Sequence, residues 1–556
     1  MFRVDILLFA LSIVPISNAV YDELYRPQLH YSPAKGWLSD PNGLIYKEGI
    51  YHLFFQCRPD HIAQGSVHWG HSISSDLIHW KALDTALYPP VGHEMFSGGA
   101  IFDYKNVTKL QTNENVPALI LLPSAAVWST REQNIWLAYS NDGPEYNKFT
   151  YYEKNPVIRG PSSYGKLITA FRDLTVFKYH DNYVSILVQY NRTQFYSSHD
   201  LIDWELISEF GEYEGSHAGR WECPSLFPFN VSIDGKQVEK YVMIITLTDY
   251  VHPVHQYFIG SFDGKKFTNE NTKETILWLE YGPDSFAGVT YNELPDGRRI
   301  FIHWMGRWEY VANLNFSPWL GQLGIPRELN LIKVGDQIRL TSEPVREMES
   351  LRINHVRRQN INITNEFSYQ IADSAKKNHL ADIELMLDLQ NLDSRDAFQI
   401  VFSGKSDEFK IIFKEKEFIL DRTRAGKIIP NFEGVKISQG NFDNPNFIRP
   451  TKERNFEDLW KAPRLIDSSN LKLRIIIDTN AIEMFADDGL TSMCALFFSK
   501  DGIASKMTIQ VHSSTKKSHI YLRDMNVYEM KSIWHKDEST KSKFNFSDNK
   551  KQKIVK

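Results

Sequence analysis

The sequence predicts an all-β protein in two parts, a toroidal β-propeller followed by a β-sandwich. A short signature recurs in the first half around Asp76, Asp142, Asp200 and Asp263, each preceded two positions earlier by Ser (Ser74, Ser140, Ser198, Ser261). The aspartates stand 66, 58 and 63 residues apart, a period that suits one four-stranded blade per repeat, with each Asp at a hairpin turn where its short side chain bonds the backbone. Strand-like runs lie between the turns, such as Tyr51–Phe55, Tyr183–Tyr190 and Tyr241–Leu247, and no convincing amphipathic helix separates them. Four visible turns imply four blades or more. In the second half a clean period-two alternation takes over, with Ile383, Leu385, Leu387 and Leu389 set against Asp382, Glu384 and Asp388. Leu471, Leu473, Ile475 and Ile477 repeat it, as do Met507, Ile509 and Val511, and half-buried strands of this kind build a two-sheet sandwich.

Read in order, residues 1–19 carry Arg3, an apolar run from Ile6 to Ile16 and the small residues Ser17 and Ala19, the pattern of a cleaved secretory signal. The propeller is expected over 20–335 and a connector over 336–365, with a short helix near Val345–Arg352. The sandwich is expected over 366–535 as a packing partner for the propeller. The lysine-rich segment 536–556 reads as a disordered tail. Asn106, Asn191, Asn230, Asn362 and Asn545 stand in glycosylation sequons.

Composition excludes several functions. A net charge of −5 lacks the basic excess that nucleic acid needs, and no stretch is long and apolar enough to span a membrane. Three cysteines, Cys57, Cys223 and Cys494, make no disulfide framework and are expected to be unpaired thiols. No CxxC or HxxxH spacing marks a metal site, and no cofactor is expected. The 13 Trp and 26 Tyr exceed what a core alone requires and fit stacking against sugar rings, a neutral substrate.

Two carboxylates stand in unusual surroundings: Asp40 in Trp37-Leu38-Ser39-Asp40-Pro41-Asn42-Gly43, and Glu222 in Trp221-Glu222-Cys223-Pro224-Ser225. Cleaving a glycosidic bond takes a proton for the leaving oxygen and negative charge beside the oxocarbenium-like carbon, which is why paired carboxylates recur in such sites. Asn42 is placed to orient Asp40, and Gly43 to permit close approach in a turn. Desolvation between Trp221 and Pro224 is expected to raise the pKa of Glu222 and keep it protonated. A third acid, Asp173, follows Arg172, which either forms a structural ion pair with it or holds it ionised to grip two substrate hydroxyls. Three acids in three different blades would meet at the axis of a toroid.

These motifs resemble glycoside hydrolase family 32, the invertase, inulinase and levanase family, over most of the chain. The resemblance rests on Trp37–Gly43, Arg172–Leu174 and Glu222-Cys223, with Tyr51–Gln56, Trp69–His71, Phe96–Gly98, Tyr281–Asp284, His303–Met305, Trp308 and Pro326–Leu329 as further matches. It implies a five-bladed propeller with a C-terminal sandwich. It also implies Asp40 as nucleophile, Glu222 as acid/base and Asp173 as transition-state stabiliser. Trp37, Asn42, Gln56, Trp69, Phe96, Ser97, Arg172 and Trp308 would line the fructosyl subsite. The activity implied is a secreted, retaining β-fructofuranosidase acting on sucrose and on inulin or levan ends. Two positions depart from the family pattern. Ser39 replaces the usual Asn, which keeps open a fructosyltransferase that builds fructo-oligosaccharides from sucrose. Leu174 replaces the usual Pro, a change expected to leave Asp173 in place. An inactive sugar-binding propeller, and an arabinan-cleaving one, are the remaining alternatives.

Overall fold

The computed structural model describes residues 21–534 except 61–64, 162–169, 234, 249–251, 312–313, 315, 372–379, 427–458 and 515–516. The signal segment, the basic tail and the sequon at Asn545 lie outside the described residues.

Five antiparallel sheets follow one another along the chain, with innermost strands Gly36–Lys47, His93–Asp103, Phe171–Tyr179, Trp221–Ile233 and Phe286–Thr290. Residues of all five, among them Gly43, Gly98, Thr175, Ser225 and Val289, line one axial channel, so the sheets are the blades of a five-bladed propeller. Blade 5 meets blade 1 where Trp319–Leu320 pairs in parallel with Gly36–Trp37, and where Asn292 N–H donates to Leu44 O at 2.9 Å.

The repeat aspartates sit between the third and fourth strands of blades 1 to 4. Asp76 Oδ1 accepts from the N–H groups of Ile78 and His79 at 3.0 and 2.8 Å, Asp200 Oδ1 from Ile202 and Asp203 at 2.9 and 2.8 Å, and Asp263 Oδ1 from Lys265 and Lys266 at 2.8 and 2.7 Å. Asp142 accepts from Ser140 Oγ. Blade 5 lacks the signature because the segment 306–326 intervenes between its second and third strands, and its last hairpin closes on Gly335-Asp336 instead.

Two boundaries move. Gln337–Pro344 is the fourth strand of blade 5, and Arg352–Ile363 already pairs with Ile520–Met530 in the sandwich. The connector therefore shrinks to the 3₁₀ turn Arg346–Leu351, where a short helix was expected. Among the described residues the sandwich comprises two six-stranded sheets whose inward residues, including Ile383, Leu385, Leu473, Ile475 and Ile509, form one buried core. Asp382, read as outward-facing, is fully buried because Arg352 Nε and Arg474 Nη2 both donate to its Oδ2 at 2.8 Å.

Propeller and sandwich share apolar core, since Trp37, Trp304 and Leu320 belong to the same buried cluster as Ile476, Cys494 and Leu496. Charges cross that seam as well. Arg327 of blade 5 binds Glu483 of the sandwich, Nη2 to Oε2 at 2.8 Å, and also Glu280, with all three side chains fully buried. His30 stands between Asp478 (2.7 Å from Nδ1) and Glu483 (3.0 Å from Nε2). Burial pulls its pKa down, but the two carboxylates outweigh burial and raise it to about 9, so His30 is a buried cation at neutral pH. The segment Tyr281–Asp284 lies along the sandwich strand Thr491–Leu496, with Tyr281 N–H donating to Ser492 O at 3.0 Å. Only glycine fits at 282, where a Cβ would fall 2.2 Å from the Cys494 backbone nitrogen.

Candidate active site

Each innermost strand carries a bulge near its start: register breaks fall between Leu38 and Pro41, Phe96 and Gly98, Arg172 and Thr175, Glu222 and Ser225, and Phe286 and Val289. A bulge leaves residues unpaired and turns their side chains away from the ladder. In blades 3, 4 and 5 the second residue of the bulge has a left-handed backbone, with φ of +60° at Asp173, +48° at Cys223 and +52° at Ala287. Arg172 and Glu222 are thus equivalent positions of neighbouring blades, as are Asp173 and Cys223. The three acids come from blades 1, 3 and 4, as expected for convergence at the axis.

Asp40 lies in this bulged strand rather than in a free turn, and it is 8% exposed. Ser97 Oγ of blade 2 donates to its Oδ2 at 3.0 Å, and Gln56 Nε2 donates to Ser97 Oγ at 2.8 Å. With its amide oriented to match donors with acceptors, Asn42 also donates to Ser97 Oγ at 3.1 Å and accepts from Gln56 N–H at 3.2 Å. Asn42 therefore acts on Asp40 through Ser97. Among the described residues Asp40 Oδ1 has no hydrogen-bond partner. Gly43, at φ +51°, lets Phe54 and Ala100 pack close beneath the strand.

Asp173 Oδ2 accepts from Cys223 N–H at 3.2 Å, and its own N–H donates to Ser124 Oγ at 2.9 Å. Arg172 pairs through Nη2 with Glu222 Oε1, while its Nε is 3.6 Å from Asp173 Oδ2. Glu222 is consequently ion-paired, not the isolated desolvated acid that its sequence neighbours implied, because the bulges of blades 3 and 4 bring Arg172 beside it. Nor does Arg172 hold Asp173 in the ordinary carboxylate range. Burial raises the Asp173 pKa and Arg172 opposes it, but the charges of Glu222 and Asp40 add to burial, and the group reaches about 7. Asp40 rises to about 6, through burial first and Glu222 second. One guanidinium cannot neutralise three carboxylates in a buried space, so protons are retained there at mildly acidic pH.

The remaining predicted lining residues divide. Trp37 is buried beneath Trp308, ring centroids 5.6 Å apart, and Trp304 completes the group at 4.8 Å from Trp308. Trp308 is 41% exposed and offers a ring to the rim. Trp69 does not: it is fully buried in the core between blades 1 and 2, and its indole N–H donates to Phe96 O at 3.0 Å, so it supports Phe96 from behind. Leu174 is buried in the core that joins blades 2 and 3. All three cysteines are unpaired and buried. Among the described residues no group of three or more His, Cys, Asp or Glu could hold a metal ion.

Two contributors escaped the sequence reading. Ser124 donates to Ser97 O at 2.8 Å while accepting from Asp173, tying blades 2 and 3 together at the site. A lone polar residue in the apolar strand Ala118–Val127 was the available signal. Gln133 Oε1 accepts from Phe171 N–H at 3.0 Å and from Arg172 Nη1 at 3.4 Å, and nothing in its surroundings marked it.

Comparison with known proteins finds the profile described as Glycosyl hydrolases family 32 N-terminal domain over residues 30–344 and the corresponding C-terminal profile over 347–529. The chain is 33% identical to a levanase of Bacillus subtilis over 546 residues, covering 95% of this chain and 74% of that protein. It is 30% identical to an extracellular exo-inulinase of Aspergillus niger, over 93% and 96% of the two chains. Among solved structures, exo-inulinase from Aspergillus awamori superposes with a TM-score of 0.78 at 27% identity, covering 92% of this chain and 100% of that one. A fructofuranosidase variant from Schwanniomyces occidentalis, solved with fructosylnystose, gives 0.77 at 25% identity over 92% and 99%.

Proposed function

The chain belongs to glycosyl hydrolase family 32, and from that premise and the geometry of the pocket we propose that it is a retaining β-fructofuranosidase acting on sucrose and on the non-reducing ends of inulin or levan. The observation that carries the mechanism is the asymmetry of Asp40: one carboxylate oxygen is fixed by Ser97 and the other is unpartnered among the described residues, aimed from the axial bulge as a nucleophile must be. In the first step Asp40 Oδ1 attacks the anomeric carbon of a terminal fructosyl unit. The glycosidic bond breaks, and the proton retained among the three buried carboxyl groups passes to the leaving oxygen through Glu222. In the second step Glu222, now a base, takes a proton from the water that displaces Asp40 and releases fructose. Chemistry of this kind calls for carboxyl groups about 5–5.5 Å apart. Asp173 accepts hydrogen bonds from the sugar hydroxyls, with Arg172 fixed between it and Glu222. Gln56, Asn42 and Ser97 set the angle of the nucleophile, and Trp308 with Trp37 behind it forms an aromatic wall.

Fructosyl transfer is the second reading, motivated by Ser39. That side chain is fully buried directly before the nucleophile, a placement that favours neither outcome, and the ratio of released sugars decides between them. Incubation with sucrose should release glucose and fructose in equal amounts. Glucose in excess would establish transfer, and release of neither sugar from sucrose, inulin or levan would overturn the proposal. The same assay should show kcat/KM falling about tenfold per pH unit below about pH 6, where Asp40 takes up its proton. A flat acidic limb would show that Asp40 is not the titrating nucleophile.

The proposal extends to export. The apolar run from Ile6 to Ile16, followed by the small residues Ser17 and Ala19, supports it, as does the extracellular exo-inulinase among the relatives. N-terminal sequencing of the protein recovered outside the cell should begin at Val20; a retained Met1 would rule cleavage out.

A further inference from the structure

Trp308 presents the exposed face of the aromatic wall, yet it opens a helical turn of only four residues, Trp308–Val311. A single turn has too few hydrogen bonds to hold itself, and Val311 N–H to Arg307 O at 3.0 Å is the main one here. The residues on either side of the indole are instead gripped by the sandwich. Tyr310 OH donates to Asp284 Oδ1 at 2.6 Å. The other oxygen of Asp284 accepts from Arg422 Nη1 at 2.5 Å and from Leu496 N–H at 2.7 Å, and both donors belong to the sandwich. On the opposite side the Arg307 guanidinium lies 4.6 Å over the ring of Trp460, which begins the sandwich strand Trp460–Pro463.

Resting on the reading of this pocket as a fructoside site, we propose that the sandwich positions Trp308 for substrate through two couplings, Arg422–Asp284–Tyr310 and Trp460–Arg307. Arg422 and Trp460 are positioning residues that never touch sugar. Stacking depends on the tilt and depth of a ring, and a ring whose neighbours on both sides are anchored, one by buried hydrogen bonds and one by a cation–π contact, has the backbone beneath it fixed before the ligand arrives. The sandwich then contributes to affinity as well as to packing, and its contribution falls on substrate seating, since the contacts that make up the two couplings converge on the turn that carries Trp308.

Tyr310→Phe and Trp460→Leu, each made in the full chain, test this. Both are expected to raise KM for sucrose roughly fivefold or more while leaving kcat within about twofold. Both should also increase acrylamide quenching of the Trp308 fluorescence, read as the difference between each protein and the same protein carrying Trp308→Phe. Folded variants with unchanged KM and unchanged quenching would overturn the proposal. So would a lowered melting temperature with KM intact, because that is the behaviour of a merely structural clamp. If Trp460→Leu fails to fold, Tyr310→Phe, which removes one hydroxyl, decides alone. Should the wild-type protein cleave no fructoside, the fructosidase reading falls, and the quenching measurement still decides whether the sandwich fixes the indole.

Discussion

Asp40→Asn is expected to lower kcat on sucrose by about 10⁴-fold or more while making the protein more stable at pH 7. The loss follows because an amide cannot form the covalent intermediate, and removal of a nucleophile leaves only binding and the remaining acid groups to act. The gain follows from linkage. Asp40 titrates near 6 in the folded protein against 3.8 for the free group, so the native state binds more protons than the unfolded chain between those values. Stability therefore falls as pH rises through that window, and above about pH 6 the ionised carboxylate burdens the fold by an amount on the order of 2–3 kcal/mol. Asparagine removes the burden, and its carbonyl can still accept from Ser97. Denaturant unfolding at pH 7 and again at pH 4 checks the argument: the advantage of the variant should be present at the first and largely gone at the second. Retained turnover would show that another group attacks the sugar, and an equal stability difference at both pH values would show that the cost is not electrostatic. Function here is maintained against stability, as is usual where charge is held out of water.

Arg327→Ala is expected to cost about 3–5 kcal/mol of unfolding free energy, because it strands Glu280 and Glu483 as buried carboxylates without their shared cation. His30 would remain beside Glu483, whereas the other donors to Glu280 among the described residues are the neutral Gly282 N–H, Ser492 Oγ and Cys494 N–H. The surface pair Arg357–Asp524, also at 2.8 Å, makes the contrast: Arg357 is half exposed, and its loss should scarcely register. Denaturant midpoints of the two variants against the parent decide the matter. A small effect at Arg327 would mean that water reaches the seam or that the domains separate without penalty.

The toroid was legible because its turns repeat a chemical device, Ser-x-Asp, in which Ser bonds Asp in blades 1 to 3 and Asp bonds the turn backbone in blades 1, 3 and 4. Blade 5 escaped because an inserted segment broke the spacing and its last turn closes on Gly335-Asp336, with the glycine in the left-handed region and no Ser two positions before the aspartate. The three acids were legible from their aromatic and proline neighbours. Their electrostatics were not, since the Arg172–Glu222 pair joins side chains 50 positions apart through bulges that leave no mark in a single strand's sequence. Trp69 illustrates the same limit. Tryptophan in a glycine-rich motif reads as a sugar contact, while the direction of its ring depends on how blades 1 and 2 pack. The seam was invisible for a related reason: Arg327 and Glu483 are 156 residues apart, and each looks like an ordinary charged residue of an ordinary strand.

The bulge at the head of every blade bears on how such a site can arise by duplication. A blade copied whole carries the bent backbone with it, and so carries a position that already faces the axis whatever side chain it holds. Acquiring a catalytic group then takes one substitution and no new architecture. Blade 3 carries its acid, Asp173, at the left-handed residue of the bend and blade 4 carries Glu222 one place earlier, while blades 1 and 2 hold Asp40 and Ser97 within theirs. Blade 5 holds Phe286 and Ala287 there, with the backbone at +52° already in place. The fifth blade has thus turned the same bend to packing, since both residues lie in the core shared with the sandwich and Phe286 meets Trp304 edge-on at 6.1 Å.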